Sequence, residues 1–129
     1  MRASGSTLRR CLARWASTGS PAKVHALLVG MLRTHPDLII ASCPVRAKRG
    51  RDPTGPNPTD RGKPGTKHFA VVDGNGVPLA ATAAPANTPD VKGLEGVIDA
   101  VPPVRGRPGR PRRRPREVYG DRGFDSDPH

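Results

Sequence analysis

Seven arginines, Arg105, Arg107, Arg110, Arg112, Arg113, Arg114 and Arg116, fall within residues 104–116 among prolines and glycines, with no acid between them. A guanidinium is permanently charged and presents a planar fork of donors, so an extended run of this kind suits a phosphate backbone. Proline and glycine keep such a run from folding onto itself, and a solvated basic loop is the plainer alternative. Arg61, Lys63, Lys67 and His68 form a second basic group. For these residues, contact with a DNA backbone and a merely solvated strand edge are equally open readings. Metal and thiol chemistry have less support. Cys11 and Cys43 are far apart without CxxC spacing, and His25, His35, His68 and His129 form no HxxxH or HExxH group. This usage points to two unpaired thiols in a reducing compartment and no structural zinc.

The basic character extends over the whole chain. Its 129 residues hold 22 Lys+Arg against 11 Asp+Glu, for a formal net charge of +11. Such a charge favours a polyanionic partner, because counterion release drives binding whatever the sequence. Nucleic acid fits better than an anionic membrane, since no basic helix carries the wide aromatic face of an interfacial anchor. No apolar run is long enough to span a bilayer. The length suits one small domain. Hydrophobic residues make up only 34% and aromatics 3%, while glycine and proline number 15 and 16. That composition predicts two or three ordered patches rather than one deep core. Residues 1–36 lack acids and are rich in Arg, Ser and Thr, which is also the composition of a mitochondrial transit peptide.

The elements that must position these groups follow from periodicity. Leu8, Cys11, Leu12 and Trp15 make an apolar stripe over residues 6–17, with Arg9, Arg10 and Arg14 outside it. Gly19 ends that helix, and Ser20-Pro21 starts a second over residues 21–33, predicted to bury Val24, Leu27, Leu28, Met31 and Leu32. Leu38 to Ala41 reads as a short buried strand. Residues 49–66 lack periodicity and are expected to form a long loop, mobile or held by a partner. Two apolar runs, Phe69–Val72 and Val77–Ala81, flank Asp73-Gly74-Asn75-Gly76 and predict a β-hairpin. Thr88-Pro89 reads as an N-cap and first helical residue, followed by a stripe of Val91, Leu94, Val97, Ile98 and Val101. Gly93 and Gly96 should each weaken this helix by about 1 kcal/mol relative to Ala. Glu117-Val118-Tyr119 is a last short strand, with Asp121-Arg122-Gly123-Phe124-Asp125 at its carboxyl end.

Three ordered stretches carry a family resemblance. Val45-Arg46-Ala47-Lys48-Arg49-Gly50 leads into residues 54–68, Thr54-Gly55-Pro56 through Lys67-His68. The hairpin Val72-Asp73-Gly74-Asn75-Gly76-Val77-Pro78-Leu79-Ala80 follows. Ile98-Asp99-Ala100-Val101-Pro102-Pro103-Val104-Arg105-Gly106-Arg107 and Tyr119-Gly120-Asp121-Arg122-Gly123-Phe124-Asp125-Ser126 complete the set. In this order they resemble bacterial insertion-sequence transposases with a DDE catalytic domain, of the insertion-sequence-five family. The likeness runs from about Ser6 to the last residue and displaces the transit-peptide reading.

The resemblance implies an RNase H-like fold that cleaves and joins DNA strands. It also implies three acids holding a Mg²⁺ pair roughly 3.5–4 Å apart, one ion activating the nucleophile and the other the leaving oxygen. Carried onto this chain, the second acid is Asp121, expected as catalytic residue and metal ligand rather than as a turn-capping Asp. The first acid falls on Ala41, in Ile40-Ala41-Ser42. Asp37 lies about 13 Å back along an extended strand and does not substitute for it. The third acid, expected on a helix after Asp121, has no counterpart before His129, and neither Glu95 nor Glu117 stands in that context.

The fold class expected is therefore α/β, a partial RNase H-like fold with long Pro/Gly/Arg-rich loops. Residues 1–36 are expected as an N-terminal helical segment and residues 37–129 as a DDE domain lacking its C-terminal part. The function implied is DNA transposition by a truncated and inactive fragment; a non-catalytic DNA-binding module or inhibitor of transposition is the alternative. Partners implied are transposon-end and target DNA, and full-length transposase subunits. A cytoplasmic, nucleoid-associated bacterial location follows from the same resemblance.

Overall fold

A computed structural model describes residues 4–31, 36–47, 53–103 and 114–125. Two helices come first, α1 (Gly5–Ser17) and α2 (Ser20–Met31). Five strands follow: β1 (Leu38–Arg46), β2 (Gly55–Pro56), β3 (Pro64–Asp73), β4 (Pro78–Pro85) and β5 (Val118–Tyr119), with α3 (Asp90–Asp99) between β4 and β5. The strands form one open mixed sheet in the order β2-β3-β1-β5, and β4 also pairs with β3. β1 runs antiparallel to β3 along its whole length, and β5 joins the other edge of β1 in parallel.

The hairpin forms where expected, but its arms are longer. Asp73 is fully buried and its Oδ1 accepts the amides of Asn75 and Val77, while Gly76 supplies a φ of 83° that other residues rarely adopt. β3 then extends back to Pro64, into the region expected as loop. Residues 53–63 are also built rather than irregular. Asn57 is buried and caps a 3-10 turn (Pro58–Asp60), its amide donates to the Lys63 carbonyl, and Gly55-Pro56 pairs with Pro64-Gly65. The loop reading failed there because this segment is held by hydrogen bonds, which leave no hydrophobic period.

A single apolar cluster occupies one face of the sheet among the described residues: Val29, Leu38, Ile40, Phe69, Val71, Leu79 and Val97. This replaces the two or three separate patches expected from composition. Strand alternation explains it, since Leu38 and Ile40 of β1 share a face with Phe69 and Val71 of β3. α3 covers this face, and the helix opens at Asp90 after Pro89 with no side-chain cap, one residue later than Thr88-Pro89 suggested. α2 also docks here through Val29, with His25 Nε2 2.9 Å from the Pro78 carbonyl. The stripe predicted to be its buried face, Val24, Leu27, Leu28 and Met31, is exposed instead. Leu32 lies outside the described residues.

Candidate functional site

Asp121 sits at the carboxyl end of β5, the edge strand that meets β1 with Leu38 opposite Val118 and Ile39 opposite Tyr119. Two residues further along each chain come Ala41 and Asp121. The parallel pairing itself ends at Ile39 and Tyr119, and β1 carries only a methyl group at Ala41. Asp121 is exposed and caps a second 3-10 turn, Arg122–Phe124, its Oδ1 accepting the Gly123 amide at 2.9 Å. The turn is seated by Phe124, whose ring meets Phe69 edge-on with centroids 6.5 Å apart. Gly120 leaves room for this seat, since a Cβ there would stand 3.0 Å from Phe124 Cδ2.

Two other acids of this region hold basic partners. Asp37 is buried and takes a bidentate ion pair from Arg116, Nε to Oδ1 at 2.9 Å and Nη2 to Oδ2 at 2.7 Å. Asp90, in the first turn of α3, pairs with Lys67 at 3.2 Å. Among the described residues, no group of three or more His, Cys, Asp or Glu side chains is arranged to hold a metal ion. Two divalent ions need carboxylates that bridge and flank them.

The basic residues divide by placement. Arg61 and Lys63 are exposed on the turn after Asp60, where Arg61 adopts a left-handed φ of 51°. Beside them Arg46 grips Asp60, Nε to Oδ2 at 2.7 Å and Nη2 to Oδ1 at 3.0 Å. The hydrogen bond from Arg46 is the main reason that the Asp60 carboxyl titrates below its ordinary value. Arg114 is exposed, and Arg105, Arg107, Arg110, Arg112 and Arg113 lie outside the described residues. Arg116 is tied into the fold rather than left to a solvated loop: Asp37, remote in sequence, holds it and raises the pKa of its guanidinium.

Lys67 departs further. Its side chain is only 14% exposed, and Nζ donates to the Thr88 carbonyl at 2.8 Å as well as to Asp90. An ammonium held in this way is engaged within the fold, which weighs against the backbone-contact reading of Lys67. A signal for this was present in the strand period, because Lys67 shares parity with Phe69 and Val71 and so belongs to the covered face. Asp90 gave no such signal; only folding brings it to the Asp121 turn.

The family described as Transposase DDE domain matches residues 32–129. Over 80 residues the chain is 59% identical to a Burkholderia cepacia protein assigned as a transposase for insertion sequence element IS402. That match takes in 62% of this chain and 38% of the relative, so the chain spans well under half of the relative's length. No solved structure matches the chain. No helix among the described residues is long and apolar enough to cross a membrane. On the breadth of the family match, the chain belongs to the transposase DDE domain family.

Proposed function

We propose that this chain is a DNA-binding, catalytically silent part of an insertion-sequence transposase. Its helical segment, residues 1–36, leans on an RNase H-like domain, residues 37–129. The observation that supports the reading is the parallel pairing of β1 and β5, with Ala41 and Asp121 each two residues beyond its last pair, Ile39 and Tyr119. In the pattern that the chain resembles, both positions hold acids, and a single carboxylate cannot bridge and flank two Mg²⁺ ions. What remains is binding. The net charge of +11 and the exposed Arg61, Lys63 and Arg114 favour phosphate contacts, joined by Arg105, Arg107, Arg110, Arg112 and Arg113. A chain that occupies transposon ends or full-length subunits without cutting acts as an inhibitor of transposition, the second reading that Ala41 favours.

The test combines cleavage and binding on the purified chain. Supercoiled plasmid incubated with Mg²⁺ or Mn²⁺ should stay uncut; metal-dependent nicking that disappears in Asp121→Ala would overturn the silent reading. Duplex binding, followed by fluorescence anisotropy, should weaken with salt at a log–log slope near −4 to −5 if about four to six phosphates are neutralised. Replacing Arg112, Arg113 and Arg114 together by Ala should flatten that slope by roughly two to three units on every duplex. An unchanged slope would move the contact to Arg61 and Lys63.

A further inference from the structure

Lys67 and Asp90 are withdrawn from the surface, yet they are not simply filling space. Lys67 lies two residues before Phe69 on the covered face of β3, and its ammonium reaches across the sheet end to the start of α3. There it meets Oδ1 of Asp90. The other oxygen of that carboxylate faces the Asp121 turn: a Cβ built on Gly123 would stand 3.0 Å from Asp90 Oδ2 and 3.0 Å from Asp121 Oδ1. Two carboxylates therefore converge on one glycine, and only the absence of a side chain at position 123 lets them. Like charges this close repel, and a partly buried cation on one of them offsets that repulsion. Phe124, the next residue, is meanwhile anchored on Phe69, the neighbour of Lys67 on the same strand face.

We infer that Lys67 and Asp90 are positioning residues that hold the Asp121 turn in place, Lys67 acting through the Asp90 carboxylate. The value of that position rests on reading Asp121 as the family's acid; the clamp itself does not. Asp90 sets the distance between α3 and Gly123, Lys67 fixes the orientation of Asp90, and Gly123 transmits both to Asp121 through its amide. The DNA-contact reading of Lys67 and this one make opposite demands on the ammonium, and its 14% exposure decides between them.

The chain contains two phenylalanines, Phe69 and Phe124, so ring-labelled phenylalanine gives one signal from the core and one from the turn. In the wild-type chain a ring-to-ring nuclear Overhauser effect should link them. Lys67→Met should abolish that effect and move the Phe124 signal, while the Phe69 signal stays at its folded position. Lys67→Arg should retain the contact. Adding Asp90→Asn to Lys67→Met should restore it, because one of the two converging charges is gone. An intact contact in Lys67→Met overturns the inference. Loss of both signals' folded positions in Lys67→Met, with no recovery on adding Asp90→Asn, also overturns it, since Lys67 then merely stabilises the fold. Plasmid nicking by the wild-type chain would sink the silent-transposase reading and leave these signals unaffected, so the two failures are distinguishable.

Discussion

The helical hairpin and the sheet layer both carry apolar residues at regular spacing, and their fates differ. In the sheet layer Ile40, Phe69, Val71, Leu79 and Val97 are at most 2% exposed. In α1 and α2, Leu8, Leu12, Trp15, Val24, Leu27, Leu28 and Met31 remain 53–75% exposed. The stripe on α1 is well formed, whereas α2 is apolar nearly all round, and its buried residue is Val29, which lies off the expected stripe. Periodicity therefore identifies which residues share a face. Whether another element lies opposite that face is a separate fact, set by how the chain crosses itself.

The largest effect should come from the sheet layer. Phe69 is buried against both α3 and the Asp121 turn, so Phe69→Ala should cost about 3–5 kcal/mol in chemical denaturation. A loss under about 1 kcal/mol would show that the layer is not the core of the fold.

Next in size is a contrast within α3. Helix propensity alone says that Ala at position 93 or 96 stabilises the helix by about 1 kcal/mol. A Cβ at Gly93, however, would lie 2.3 Å from Phe69 Cζ, whereas at Gly96 it would meet nothing within 4 Å. Gly93→Ala should then destabilise by about 1–3 kcal/mol through overpacking. Gly96→Ala should raise the melting temperature. Shifts of the same sign in the two melts would mean that α3 does not rest on Phe69.

A third pair of variants compares the regions directly. Val29→Ala should cost about 2 kcal/mol, and Leu27→Ala on the exposed stripe should stay within about 0.5 kcal/mol. Equal losses would show that the stripe is covered in solution.

The smallest effect concerns the edge of the sheet, where the Tyr119 hydroxyl donates to the Glu117 carboxylate. That hydrogen bond and the carboxylate's charge raise the Tyr119 pKa above its ordinary value. A raised pKa in the folded state means that the contribution is fully present below the unfolded value near 10 and is lost as pH climbs through the folded one. Ultraviolet titration of this single tyrosine should show the raised midpoint, and Glu117→Gln should bring it back toward about 10. An unmoved midpoint would detach Glu117 from Tyr119.

Much of the family assignment was legible in the chain itself, because motifs such as Asp73-Gly74-Asn75-Gly76 and Asp121-Arg122-Gly123-Phe124 are contiguous. Turn chemistry is local, so the β-hairpin was legible for the same reason. Partnerships between distant residues were not. Arg116 and Lys67 read as surface cations until Asp37, 79 residues away, and Asp90, 23 residues away, were brought to them. Gly93 read as a weakness of α3 until Phe69 arrived beneath it. What the sequence determined by itself is each residue's chemistry, the local turns and the face each side chain shares with its neighbours, all governed by interactions a few residues long. Tertiary structure alone decided which faces are covered, which charges are neutralised and where Asp121 stands, because burial and Coulomb energies depend on distances that close only when remote segments meet.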